Sequence, residues 1–378
     1  MEINTVLAHA GLCTDQITGA VSTPIYQTAT FRHPALGVST GYDYSRTINP
    51  TREALEKVMA ELEHGSRGFA FASGMAAITA ILMLFSSGDH IIVSDDLYGG
   101  TYRVFEKNFK QFGIAVTYVD TSNPDAIQKV IIPEKTKAIF IETPTNPLMK
   151  ITDLNQVIPL AHRNGLLTII DNTFMTPYLQ RPLELGGDIV IHSGTKYLGG
   201  HNDVLSGLVV ARTSELSERI GFIQNSTGAI LSPQDSWLMI RGLKTLALRI
   251  ERQQKNAREI AEWLLTKEIV KKVYYPGLAS HPGHRIQQQQ ASGFGAMLSF
   301  AVNHSGLVER IINRMKIITY AESLGGVETL ITYPVRQTHS DIPVAVRERI
   351  GVTDDLLRLS VGIEDCRDLI QDLEQAIA

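Results

Sequence analysis

Asp188-Ile-Val-Ile-His-Ser-Gly-Thr-Lys196-Tyr-Leu-Gly-Gly-His201 is the stretch that decides the fold. A short apolar strand runs into Ser-Gly-Thr and delivers one lysine, which a glycine pair follows. Upstream, a second apolar run, Leu166-Leu-Thr-Ile-Ile-Asp171-Asn172-Thr173, ends in an acid. A lysine after a strand is ordinarily solvated, and an acid at a strand end is ordinarily a cap or turn former. As a pair they suit pyridoxal phosphate. That cofactor needs an amine to bond with its aldehyde and a carboxylate to keep its pyridine nitrogen protonated.

Further short apolar runs surround the pair. Candidate strands are Phe69–Ser73, His90–Ser94, Val116–Val119, Ala138–Glu142, Leu167–Ile170, Asp188–His192 and Gly207–Val210. Helical stretches at 75–85, 101–111 and 153–164 lie between them, and Asp153 with Gln156 reads as a capping box opening the last. Strands that are apolar on both faces and alternate with helices predict a mainly parallel, seven-stranded α/β sheet with helices on both faces. Such a sheet binds ligands at the carboxyl ends of its strands, where Asp171 and Lys196 fall.

A phosphate site is legible beside them. Phe71-Ala-Ser73-Gly74-Met75-Ala76-Ala77 follows a strand and opens a helix, which aims backbone N–H groups and a positive dipole end at an anion. Strand–glycine–helix turns are common, so this segment gains meaning only with the hydroxyls of Ser193 and Thr195 from the lysine loop. In Asp95-Asp96-Leu97-Tyr98-Gly99-Gly100-Thr101 the aromatic Tyr98 can stack on a planar cofactor; its alternative role is packing across a strand–helix turn.

The rest of the chain divides around this core. Residues 1–50 are rich in breakers (Pro24, Pro34, Pro50) yet aromatic (Tyr26, Phe31, Tyr42, Tyr44), so they are expected to pack on another surface, their own or a neighbour's. A helix is expected after Pro50, with Leu55, Val58, Met59 and Leu62 at helical spacing and Gly65 ending it. Residues 51–240 form the cofactor-binding α/β domain, and 241–378 a smaller α+β domain. Residues 233–265 read as one long helix or two stacked ones bridging the two. Beyond them strands are expected at Ala296–Val302, Thr329–Tyr333 and Leu357–Val361, with helices near 306–315 and 365–377. The Gln287–Gln290 run reads as a solvated helix or loop. A metal site at His281-Pro-Gly-His284 lacks partner ligands nearby in sequence, so no metal is expected.

Composition narrows the class of protein. The chain has 378 residues, 44% of them hydrophobic and 20% charged, and a net charge of −4 that gives no field for nucleic acid. Its two cysteines, Cys13 and Cys366, match no zinc or redox spacing, and free thiols are expected. The start, Met1-Glu-Ile-Asn-Thr, lacks the features of a signal peptide, and no apolar run reaches membrane-helix length. The expectation is a soluble, cytoplasmic protein.

The motifs in order resemble the Cys/Met-metabolism family of pyridoxal-phosphate enzymes, which includes cystathionine γ-lyases, γ-synthases and β-lyases and methionine γ-lyases. The resemblance rests on Tyr42-Asp-Tyr44-Ser-Arg46-Thr-Ile-Asn-Pro50-Thr-Arg, Ser73-Gly-Met-Ala-Ala, Tyr98-Gly-Gly-Thr-Tyr, Glu142-Thr-Pro-Thr-Asn-Pro147, Asp171-Asn-Thr-Phe and Ser193-Gly-Thr-Lys-Tyr. Ala321-Glu-Ser-Leu-Gly-Gly-Val-Glu328 and Leu357-Arg-Leu-Ser-Val-Gly-Ile-Glu364 continue it to the C-terminal part. It implies the fold type I architecture of this class and a homotetramer of two active dimers.

The resemblance also implies roles. Tyr44 and Arg46 would cross to the neighbouring subunit's cofactor phosphate, Arg358 would hold the substrate α-carboxylate, and Asn146 and Ser323 would lie near that carboxylate. Lys196 would be the base, with Tyr98 assisting proton transfer to the leaving sulfur. Glu322 stands where γ-lyases and γ-synthases carry Glu and bacterial β-lyases a bulky aromatic; it would attract the distal ammonium group of cystathionine. Gly100 stands where methionine γ-lyases carry a reactive cysteine, which argues against methionine as the main substrate. The whole pattern is most similar to bacterial cystathionine γ-lyases. The γ-synthase and β-lyase reactions remain open alternatives, whereas a catalytically idle pyridoxal-phosphate protein that regulates a partner is expected to have lost Lys196, Asp171, Tyr98 or Arg358, and all four are present.

Overall fold

The computed structural model describes residues 1–12, 15 and 17–378. Cys13 lies outside the described residues, whereas Cys366 is a buried free thiol. Seven strands form the main sheet: β1 (Arg67–Phe71), β2 (His90–Ser94), β3 (Ala115–Val119), β4 (Thr136–Glu142), β5 (Leu167–Asp171), β6 (Ile189–Ser193) and β7 (Gly207–Ala211). Their order is β1-β7-β6-β5-β4-β2-β3. The pairs from β6 through β5, β4 and β2 to β3 are parallel, while β7 runs antiparallel to both β6 and β1. The reversal follows from the connection: the chain turns straight back through the Lys196 loop without a crossover helix, and only an antiparallel neighbour can be reached that way.

Both faces of this sheet are covered. Phe69, Phe71, Ile91, Val93, Ile189 and Ile191 pack on one side, and Ile92, Ile139, Ile141 and Ile170 on the other. Burial on both faces explains why the strands read as continuous apolar runs.

A second sheet contains β8 (Val270–Tyr274), β9 (Met297–Val302), β10 (Thr319–Tyr320), β11 (Leu330–Thr332) and β12 (Leu356–Ser360), in the order β10-β11-β12-β9-β8. Its edge strands β8 and β10 were not expected from the sequence. β8 holds the exposed Lys271 and Lys272, and β10 has just two residues, both exposed, so neither makes an apolar run.

Among the helices, α1 (Ile3–Ala8), which the breaker-rich composition of residues 1–50 did not suggest, seats Val6 and Leu7 in the main core. Helix α2 (Pro50–Glu63) starts at Asn49, whose side chain accepts from Thr51 N, and ends one residue before Gly65, at His64 in the left-handed region (φ 54°). Helix α3 (Gly74–Leu82) is capped by Ser73, whose hydroxyl accepts from Ala76 N.

Several helical expectations need correction. The stretch expected at 101–111 is a short helix, Gly99–Arg103, followed by a π-helical turn, Val104–Phe109. The stretch 233–265 is two helices, Pro233–Leu243 and Leu246–Leu264. At Asp153 the side chain caps Gln156 N as expected, but the Gln156 amide returns to the Asp153 carboxylate (2.6 Å). The glutamine run is also corrected. In the helix His284–Gln290, Gln287 and Gln290 are buried; Gln290 accepts from Leu154 N (3.0 Å) and donates to Thr152 O (3.1 Å). Polar side chains can enter a core when their amides satisfy buried backbone groups. No helix among the described residues is long and apolar enough to cross a membrane.

Candidate active site

The carboxyl ends of β4, β5 and β6, the start of α3, and the loop between β10 and β11 enclose a cavity of about 330 Å³. Its lining holds Gly74, Met75, Tyr98, Asn146, Asp171, Ser193, Thr195, Lys196, Glu322, Ser323 and Arg358, so both sheets contribute to one site. Tyr44 and Arg46 lie elsewhere, in an open cleft with Gln27, Thr28 and Pro233. There Arg46 Nη1 donates to Asn225 O (2.5 Å) and sits 5.6 Å from the Tyr44 ring.

Lys196 is delivered by the turn after β6, and its Nζ donates to Ser323 Oγ at 2.8 Å. Burial first, and the Arg358 charge second, push its ammonium down to about 8, against a small opposing pull from Glu322. At pH 7 roughly one lysine in ten is then neutral, against roughly one in three thousand at the ordinary value. The neutral amine is the nucleophile. Capture of pyridoxal phosphate by the apoprotein should therefore speed up with rising pH and level off above about 8. Stopped-flow absorbance from pH 6.5 to 9.5 checks this; a rate still climbing tenfold per unit beyond pH 9 contradicts it.

Arg358 belongs to β12, flanked by Leu357 and Leu359, and is only 1% exposed. Nη1 donates to Asn146 Oδ1 (2.9 Å), while Nη2 donates to Ser323 O (3.0 Å) and Thr332 Oγ1 (3.0 Å). Its Nε, fully buried, has no partner among the described residues. A buried guanidinium with an unspent donor beside a cavity suits a carboxylate ligand. Ser323 touches both cations, through its hydroxyl and its carbonyl, and holds φ at 94°, a strained value for a non-glycine residue.

Residues that the sequence did not single out line the cavity, as Glu142, Thr173 and Thr338 do, or brace it from behind, as His339 does. His339 Nε2 donates to Asn146 O (2.9 Å), and Thr338 Oγ1 lies 2.8 Å from Nδ1. Burial pushes this imidazole down to about 4, so it is neutral, with its proton on Nε2 because a carbonyl can only accept. Glu142 pairs in register with Asp171 across β4 and β5, and its Oε2 accepts from Tyr98 N (3.0 Å). Burial raises both carboxyls, Glu142 well above the usual range and with a further push from Asp171. Asp171 Oδ1 accepts from Thr173 N (3.0 Å), and Thr173 Oγ1 in turn accepts from Ser193 N (2.8 Å). The Asp-x-Thr spacing was the one sequence signal for Thr173.

The donor set fits pyridoxal phosphate. Lys196 supplies the amine and Asp171 the carboxylate, and both line one cavity. The amides of Gly74 and Met75 have no acceptor inside their own helix. A Cβ added at Gly74 would stand 3.0 Å from Ser193 Cβ, so glycine lets the helix start close against the Ser193 loop. Thr195 lines the cavity while its hydroxyl also closes the lysine loop, accepting from Ser206 N (3.0 Å).

Metal chemistry has no comparable support. Among the described residues no group of three or more His, Cys, Asp and Glu side chains is placed to hold a metal ion. His284 Nδ1 is engaged with Pro276 O (2.7 Å), and its ring stacks on Phe294.

Comparisons with known proteins agree with this geometry. The profile of the Cys/Met metabolism PLP-dependent enzymes matches residues 4–378. The chain is 54% identical to cystathionine γ-lyase of Bacillus subtilis over 377 residues, which covers 100% of this chain and 99% of the relative. It is 53% identical to cystathionine β-lyase of Lactococcus lactis subsp. cremoris, covering 99% of this chain and 98% of the relative. The crystal structure of cystathionine γ-lyase from Lactobacillus plantarum, complexed with L-serine, superposes with a TM-score of 0.97 at 51% identity, covering 100% of this chain and 98% of that one.

Proposed function

The chain belongs to the Cys/Met metabolism PLP-dependent enzymes, and from that premise we propose that it is a carbon–sulfur lyase of the cystathionine γ-lyase type. The reaction is α,γ-elimination of L-cystathionine to L-cysteine, 2-oxobutyrate and ammonia, with homocysteine cleavage and some β-elimination as side activities.

One observation carries the choice. Glu322 lines the cavity with Lys196 and Arg358, near enough for its charge to act on the Lys196 ammonium. A substrate with an amino-acid head at each end meets a cation at one wall and an anion at another. Arg358 takes the α-carboxylate, and Glu322 draws in the distal ammonium group, which sets which carbon faces Lys196. Identity alone does not decide, since relatives at 54% and 53% are named for γ- and β-cleavage. At position 100, an added side chain would collide with the Tyr98 ring and approach Met75 Sδ (3.1 Å), which supports the reading against a methionine γ-lyase.

Bound pyridoxal phosphate supplies the electron sink that makes the substrate Cα–H acidic. The protein moves the protons. Lys196, aimed by Ser323, takes the Cα proton and, for γ-cleavage, a second proton from Cβ. Tyr98, fixed at its backbone by Glu142, stands over the cavity to protonate the departing sulfur. Asp171 would hold the ring nitrogen. Comparing cystathionine turnover with the reaction of an O-acyl-homoserine plus cysteine tests the reading. A larger kcat/KM for the second would make the protein a γ-synthase.

Tyr44 and Arg46 lie outside their own chain's cavity. Ile17, Val21 and Leu36 in the same segment are 91%, 71% and 104% exposed, a surface that suits a second copy of the chain. The assembly proposed is a homotetramer of two dimers in which Arg46 reaches the partner's phosphate site. Arg46→Ala and Tyr44→Ala should each weaken cofactor retention, Arg46→Ala by about tenfold or more, as expected for a charge-assisted hydrogen bond of about 1.5–3 kcal/mol. Wild-type retention in both, measured by equilibrium dialysis, would refute the cross-subunit role.

A further inference from the structure

Behind Asp171 a second polar cluster is sealed in the core. Side chains on a strand alternate between faces. Asp171, Ile191 and Ser193 line the cavity, while Asn172 and His192 meet Glu63 of α2 on the opposite face. His192 Nε2 and Glu63 Oε1 stand 2.6 Å apart, and Asn172 Nδ2 donates to the same oxygen at 3.2 Å. Glu63, His192 and Asn172 are all 0% exposed. Glu63 Oε2 and His192 Nδ1 have no partner among the described residues.

Burying a carboxylate costs several kcal/mol unless a cation is paired with it. The group in contact that can become a cation is His192. With the shared proton on the imidazole, the pair is neutral overall but dipolar, and its positive end is the ring on β6 beside the Asp171 strand.

The need for such a device lies on the cavity side. Asp171 and Glu142 are register partners on adjacent strands and line the same cavity, so ionising one disfavours ionising the other. Asp171 is faced by Glu142 from β4, by His192 from β6 and by Thr173 from its own loop; Glu142 is faced by Asp171, by Asp96, by the Tyr98 and Asn146 amides and, from β12, by the Arg358 cation. Strand β6 is next to β5 and one strand further from β4, so the His192 charge acts first on Asp171, whose carboxyl the Thr173 hydrogen bonds and that charge pull down against burial.

We propose that His192 and Glu63 form a charged positioning pair which makes Asp171, and not its neighbour Glu142, the ionised carboxylate facing the cofactor ring. The inference rests on the pyridoxal-phosphate reading of the cavity. Neither residue touches cofactor or substrate; they act through Asp171.

Two measurements test it. In the wild-type apoprotein labelled with ¹⁵N-histidine, the His192 signals, identified by their loss in His192→Gln, should show both ring nitrogens protonated at pH 7.5. A neutral imidazole overturns the proposal, and this result needs neither cofactor nor the folding of a further variant. In holoenzyme loaded with ring-¹⁵N pyridoxal phosphate, the cofactor nitrogen should be protonated in the wild type. In Glu63→Gln it should move toward the neutral position, with cofactor dissociation rising about tenfold. An unchanged nitrogen resonance in Glu63→Gln, even with a lower melting temperature, would mark a packing role and overturn the proposal. If the wild type takes up no cofactor, the reading of the cavity fails, and the imidazole measurement still decides whether the pair is charged.

Discussion

Lys196→Ala should reduce cystathionine cleavage to background, a loss of about 10⁴-fold or more, and should abolish the visible absorption band of the lysine-bound cofactor. Both effects arise from one atom. In the proposed reaction Lys196 Nζ is the amine that joins the cofactor and, with its ammonium pushed down to about 8, also the base that acts on the substrate Cα and Cβ. The Ser323 hydroxyl at 2.8 Å fixes where that base points. Spectra and product assays on the purified variant check this, and a variant that keeps both band and turnover would end the assignment.

Arg358→Leu is the second large effect. Removing one partner of a buried, hydrogen-bonded charge pair costs about 2–5 kcal/mol, so kcat/KM should fall by about two to three orders of magnitude, mainly through KM. The loss should appear for every amino-acid substrate, because the α-carboxylate is common to all of them. Arg358→Lys should recover only part of it: an ammonium cannot engage Asn146 Oδ1, Ser323 O and Thr332 Oγ1 together while also binding a carboxylate. Steady-state kinetics on cystathionine and homocysteine check the expectation; an unchanged KM in Arg358→Leu refutes the carboxylate role.

The inner strands of the main sheet were readable because they are buried on both faces and so appear as apolar runs, two of them ending at Asp171 and Ser193. The edge strands of the second sheet lack that signature, and Lys271 and Lys272 disguised β8. Lys196, Asp171 and the Ser73-Gly74 turn were legible locally, each at the end of its own strand. Arg358 was not. Within Leu357-Arg358-Leu359 it reads as an outward residue of an alternating strand, and tertiary packing against Asn146, Ser323 and Thr332 buries it. The family resemblance, not the pattern, placed it. Glu63 and His192 lie 129 residues apart, and nothing local marks either as one half of a pair.

Product analysis after incubating the purified, pyridoxal-phosphate-loaded protein with L-cystathionine alone tests the central claim most directly. Cysteine, 2-oxobutyrate and ammonia are the expected products. Homocysteine and pyruvate as the main products would mean cleavage at the β-carbon, and would contradict the part given to Glu322 in orienting the substrate.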